Sequence, residues 1–198
     1  MNRGSAIYRT AVAAYKSVPP HLNPILQVRQ IRTGRELRRP TKPLRLHVGC
    51  GKRHMDGFIN IDMRPTRAAE YVTDVRRLPC PDNSAERIEA YHVIEHIQHP
   101  EAAAVVAEWF RVLAPDGVLI LECPEIDEVV RRYLNGDLRM LASMYGWQRY
   151  AGDTHFYGYN VPRLTEMLKG TGFRKIEERP AQDYHAREEP CLRLEATK

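Results

Sequence analysis

From residue 44 onward, short apolar runs alternate with stretches of helical period, the pattern of an alternating α/β domain. Residues 44–48 (LRLHV) read as a strand running into a glycine turn, and residues 58–62 (FINID) as a second strand ending in an acid. Residues 71–74 (YVTD) and 87–91 (RIEAY) give the third and fourth, with a helical turn expected at 92–97. Residues 100–113 (PEAAAVVAEWFRVL) repeat apolar positions at helical spacing behind a proline in the first turn. The Ala114-Pro115-Asp116-Gly117 stretch is expected to stop that helix before a nearly all-apolar central strand at 118–123. A helical insertion at 125–147 follows. A helix at 161–168 is next, ended by Gly170 and Gly172, and then come closing strands at 173–179 and 191–196. The expected fold is a doubly wound, Rossmann-like seven-stranded sheet with its last two strands antiparallel. It occupies residues 44–198, and residues 124–160 form a helical and aromatic insertion over the acceptor site.

Residues 1–43 differ in kind. Ile7, Ala11, Ala14 and Val18 are helically spaced until Pro19 and Pro20 break the run. A second, weaker helical stretch carries Arg29, Arg32, Arg35, Arg38 and Arg39 before Pro40 and Pro43. This basic helical N-terminal arm holds the charge asymmetry of the chain. Residues 1–45 contain ten Lys/Arg against one acid, Glu36, which is +9; the remaining 20 bases and 24 acids make the rest −4, so the net charge of +5 comes from the arm. An arm of this sort suits an acidic partner, a membrane surface or a lid, and its composition also has the look of an organelle transit peptide.

The composition, 43% hydrophobic and 28% charged, is that of a globular chain, and no run approaches the length of a membrane span. Cys50, Cys80, Cys123 and Cys191 form no Cys-x-x-Cys pair, so a reducing, cytoplasmic setting is expected in place of a disulfide scaffold.

Gly49 and Gly51 sit at the carboxyl end of the first strand, where the backbone turns and a ligand approaches without a Cβ in the way. Asp62 ends the second strand, where an acid can accept from ribose hydroxyls. It follows Gly49 by 13 residues, against the ~20 of a dinucleotide unit. The third dinucleotide glycine is also missing. This compression argues against a pyrophosphate cradle and against NAD.

The segments LHVGCG, GFINID, TDVRRLPCPDNSAERIEAYHVIEHI and EWFRVLAPDGVLILECPE, with MYGWQRYAGDTHFYGYNVPRLTEMLKGTGF behind them, resemble the small class I S-adenosylmethionine-dependent methyltransferases. Many bacterial enzymes of surface-glycan and small-molecule tailoring are in this group. The resemblance spans residues 44–198 and departs where His47 stands in place of an acid before the glycine turn. It implies that S-adenosylmethionine is the cofactor and S-adenosylhomocysteine the product. Gly49, Cys50 and Gly51 would line the methionine part, Asp62 the ribose, Asp74 and Val75 the adenine edge, and His92 would sit beside the sulfonium.

Two histidine groups stand where a base could act. His92, Glu95 and His96 share a helical face at i, i+3 and i+4. They read first as a brace under the cofactor, with a catalytic base or a metal site as alternatives. No further ligand accompanies them in sequence, so no metal is expected. The other group, GDTHFYGY, makes His155 the preferred base, with Asp153 to orient it. Tyr145, Trp147, Tyr150, Phe156, Tyr157 and Tyr159 crowd the same stretch and suit a flat or sugar-like acceptor, or a small core under the insertion. The function expected is methyl transfer to an oxygen of a small molecule or glycan. A nucleic-acid methyltransferase using the basic arm ranks behind it, because the Asn/Asp-Pro-Pro-Tyr type of motif is missing and the body is acidic. A non-catalytic cofactor-binding or partner-docking module is the remaining alternative.

Overall fold

The computed structural model describes residues 42–150 and 152–198. The expected helices of the arm lie outside the described residues. Seven strands form one sheet: β1 (Leu44–Val48), β2 (Ile59–Asp62), β3 (Tyr71–Val72), β4 (Ala85–Tyr91), β5 (Leu113–Pro124), β6 (Arg174–Glu178) and β7 (Cys191–Thr197). Their order is β3-β2-β1-β4-β5-β7-β6. Neighbours from β3 to β5 run parallel, and β7 runs antiparallel to both β5 and β6. The chain leaves β1 outward to β3 and returns to β4 on the other side of β1. Such a reversal of strand order leaves a crevice at the carboxyl ends of the strands, which is where open α/β sheets bind ligands.

The helices are α1 (His99–Val112), α2 (Ile126–Leu134), α3 (Met140–Tyr145) and α4 (Val161–Thr171). Among the described residues, no helix separates β1, β2, β3 and β4, and between β1 and β2 the short spacing from Gly49 to Asp62 leaves no room for one. In α1, Ala102, Val105, Val106 and Trp109 recur every three or four residues and bury one face. The helix ends at Val112 and β5 begins at once, so Ala114–Gly117, expected as a stop, opens the strand with Asp116 at φ 63°. Gly170 lies inside α4, and Gly172, left-handed at φ 111°, caps it. At the other end of α4 the Asn160 side chain accepts from the Arg163 amide.

The two faces of the sheet differ. Leu46, Val48, Ile88, Leu119, Leu121 and Leu194 share a core with Val105, Val106 and Trp109 of α1 and with Leu164 and Leu168 of α4. The alternate residues point the other way. They include His47, Asn60, Glu89, Glu122 and Arg193, all buried. This polar face is internally bonded: His47 Nδ1 lies 3.0 Å from Asn60 Oδ1, and Tyr91 donates to Glu89. The Glu122 carboxylate accepts the amides of Gln182 and Asp183 at 2.9 and 2.8 Å, with the Arg193 guanidinium 3.6 Å away. Those two bonds tie the β6–β7 connection to the central strand beside the site.

Candidate active site

The turn after β1 demands glycine for two different reasons. Gly49 has φ 70°, and a Cβ there would stand 2.3 Å from Val93 Cγ2. Gly51 has φ 55°, and a Cβ there would meet nothing within 4 Å, so its face of the turn is open. The Gly51 amide donates to Asp62 Oδ2 at 2.7 Å and the Arg64 amide to Oδ1 at 2.8 Å. Asp62 thus clamps the glycine turn to the end of β2. A carboxylate has about four acceptor positions, so two amides leave room for hydroxyl donors. Cys50 is buried beside it, and burial, then the Asp62 charge, pushes its thiol up to about 12. It is a packing group, not a nucleophile.

Asp74 follows β3 and its carboxylate accepts the Arg76 amide at 3.0 Å. The Thr73 amide donates to the Asp62 carbonyl, which keeps the ends of β2 and β3 together. Val75 is buried, and its carbonyl accepts the indole N–H of Trp109 at 2.8 Å. Trp109 lies in the core and also fixes the loop that carries Asp74 and Val75.

His92 follows β4 at φ 53°, a left-handed conformation unusual outside glycine, and donates its amide to the Glu122 carbonyl. Its ring packs on that of His185 with centroids 4.1 Å apart, and its Nε2 lies 3.6 Å from Cys191 Sγ. His92 Nδ1 is 3.1 Å from Glu95 Oε1 and 3.8 Å from Glu189 Oε1. Asp183, held by Arg53 and by Glu122, bonds His185 in turn. This ring of Asp183, His185, Glu189 and Cys191 around His92 escaped the sequence reading. Alternation in LRLEA and in RIEAY, unusual for strands covered on both faces, is the signal that marked a polar side of the sheet.

His155 and Asp153 part company. His155 Nδ1 donates to the Ser143 carbonyl at 2.8 Å, and burial pulls its pKa below the ordinary imidazole value. Asp153 is buried, and its carboxylate takes the Arg149 amide and guanidinium at 3.0 and 2.9 Å. The expected orientation of His155 by Asp153 is therefore replaced by Ser143, because Arg149, four residues before Asp153, reaches the carboxylate first. The fold also joins two groups the sequence kept apart. The rings of His96 and His155 meet edge to face at 4.7 Å, the Phe156 amide donates to the Glu95 carbonyl, and His96 Nδ1 donates to the Thr154 carbonyl at 3.1 Å.

The aromatic residues divide. Tyr159 is buried in the core and Tyr157 packs against it, whereas Tyr145, Trp147, Tyr150 and Phe156 are exposed. The Arg64 guanidinium lies 3.8 Å over the Tyr150 ring, linking the end of β2 to this segment. All four cysteines are free thiols, and among the described residues no helix is long and apolar enough to cross a membrane.

Residues 46–121, from the first strand through the central one, match the family model described as a methyltransferase domain. The fold is similar to that of a SAM-dependent methyltransferase from Archaeoglobus fulgidus, with TM-score 0.56 and 12% identity over 81% of this chain and 88% of the other. It is similar to a Burkholderia thailandensis 1,6-didemethyltoxoflavin-N1-methyltransferase, with TM-score 0.55 and 14% identity over 79% of this chain and 72% of the other. A SAM-dependent methyltransferase from Thermotoga maritima, described as a possible histamine N-methyltransferase, gives TM-score 0.53 and 14% identity over 80% and 84%. No curated protein matches the sequence. The matched segment carries the glycine turn, Asp62 and Asp74 and is similar to a methyltransferase domain, and the fold around it is similar to that of SAM-dependent methyltransferases.

Proposed function

We propose that the chain transfers a methyl group to an oxygen of a small molecule or glycan. In this reading Gly49, Cys50 and Gly51 border the methionine part of the cofactor, Asp62 takes the ribose hydroxyls and the Asp74–Val75 loop takes the adenine edge. When bound, the cofactor supplies an electrophilic methyl on a sulfonium. The chain's residues supply position, a water-poor surround and a place for the acceptor proton.

The observation that carries the acceptor side is the pairing of His96 and His155. Each spends Nδ1–H on a backbone carbonyl, which leaves Nε2 as the basic atom of a held imidazole. His155 is the proposed proton acceptor, and His92 the group at the cofactor end of the cluster. The exposed rings of Tyr145, Trp147, Tyr150 and Phe156 on the adjoining segment suit stacking on a flat or sugar ring. Nothing among the described residues favours a nucleic-acid acceptor over this one.

The test is turnover of labelled S-adenosylmethionine against a panel of hydroxyl-bearing phenols, sugars and glycans. The similar folds from Burkholderia thailandensis and Thermotoga maritima are named for methylation of nitrogen, so amines and ring nitrogens belong in the panel. An O-methylated product, with His155→Ala lowering turnover about 100-fold at unchanged cofactor affinity, is the expected result. Methylation confined to nitrogen acceptors would overturn the oxygen assignment.

A further inference from the structure

We infer that Glu95, His96 and His155 form a binding site for a divalent first-row transition-metal ion. The inference bears on the acceptor side of the proposed function, where a held ion would take over from His155 the task of acidifying the acceptor; that consequence for catalysis rests on the proposed function, and the binding itself does not. In the sequence a metal site is only an alternative reading of His92, Glu95 and His96, and no metal is expected there, because no further ligand stands nearby. The fold brings one from 59 residues away, since one donor atom from each of Glu95, His96 and His155 lies within 4.8 Å of the others.

Three observations converge on this cluster. The Glu95 side chain is enclosed, and among the described residues neither carboxylate oxygen has a hydrogen-bond partner. His92 Nδ1 stands 3.1 Å from Oε1 as an ion-pair partner when protonated, and Oε2 is left without a partner among the described residues. An enclosed ionised carboxylate left so is costly unless a cation completes it. Both imidazoles are fixed in one tautomer, with Nδ1–H on the carbonyls of Thr154 and Ser143 and the lone pair on Nε2. That outer bonding is what holds imidazole ligands on metal ions. Donors bound 2.0–2.2 Å from one ion stand about 3–4 Å apart, so small side-chain rotations close the set.

The donor set selects the ion. Two imidazoles with one carboxylate suit zinc, iron, cobalt or manganese, whereas calcium and magnesium prefer oxygen donors throughout. The neighbouring group of His92, Asp183 and His185 is a poorer host, because Asp183 is already bonded to Arg53 and His185. Three protein donors leave further positions on the ion. An acceptor hydroxyl bound there would lose its proton to water, with the O–H electron pair remaining on oxygen. With the ion in place, the His155 lone pair holds the ion, and the ion does the acidifying.

The experiment titrates chelator-treated, full-length protein with cobalt(II), reading the visible ligand-field bands, and with zinc(II) by calorimetry, in the absence of cofactor and acceptor. The expected result is one equivalent bound, with cobalt bands of a nitrogen–oxygen site. Glu95→Gln and His155→Ala should each weaken binding at least 100-fold, while His185→Ala leaves it unchanged. Circular dichroism identifies any variant that fails to fold, and the cobalt spectrum of the unaltered protein stands without the variants. Absence of stoichiometric binding, or binding lost in His185→Ala and kept in folded His155→Ala, would overturn the site. Loss of turnover in His155→Ala by a protein that binds no ion would leave the base reading intact and still end this one.

Discussion

The indole N–H of Trp109 donates to the Val75 carbonyl across 2.8 Å, joining the buried face of α1 to the loop that follows β3. A residue at the centre of the core thereby sets the position of the loop proposed to meet the adenine edge. Trp109→Phe keeps most of the packing and leaves that carbonyl unpaired. Unfolding in urea should show a loss of about 1–3 kcal/mol, the range for an unsatisfied buried polar group. Cofactor affinity should fall with it; full affinity and stability together would mean that the bond does not hold the loop.

Gly49 makes a second prediction, separable into two parts. Gly49→Ala places a methyl group into Val93 and forces alanine to φ 70°. Overpacking costs about 1–3 kcal/mol and the left-handed backbone about 1–2 more. Adding Val93→Ala should recover only the overpacking part. A double-mutant cycle in denaturant measures the split, and complete recovery would show that the backbone conformation costs nothing.

How far these features were legible in the sequence depends on the distance between partners. The strands, α1 and the glycine turn follow from local pattern: LHVGCG announces a turn, and the short gap to Asp62 announces its lack of a crossover helix. Ala114–Gly117 follow the end of α1 as expected but lie inside β5, which begins at Leu113 and not at 118. Glu122 lies in the run expected as a nearly all-apolar central strand, and Arg193 in a run expected only as a closing strand. Their burial depends on pairing between β5 and β7, which sequence spacing does not reveal. The meeting of Glu95 and His96 with His155 is of the same kind, because it depends on where the segment after α3 returns to the end of β4. Asp153 looked like the partner of His155 because it is two residues away, yet the closer competitor for its carboxylate was Arg149.

The Asp183 carboxylate gives stability a pH dependence. Burial alone would raise its pKa, but the His185 bonds and then the Arg53 charge more than reverse this and hold it at about 2. A depressed folded-state pKa contributes stability above the unfolded value near 4, and that contribution is lost as pH falls toward 2. The size is about 2 kcal/mol by that linkage. Asp183→Asn should therefore be less stable than the parent at pH 7, with the two curves converging as pH drops from 4 to 2. A constant gap across that range would show that the charge is not what stabilises the β6–β7 connection.

The central claim is that the glycine turn and Asp62 form one cofactor cradle, and calorimetry with S-adenosylhomocysteine tests it most directly. The parent chain should bind one equivalent. Asp62→Ala, verified as folded, should bind more weakly by about 1.5–3 kcal/mol, the scale of a hydrogen bond to a charged group, at least a tenfold loss in affinity. Absence of binding by the parent, or equal affinity in the folded variant, would contradict the account.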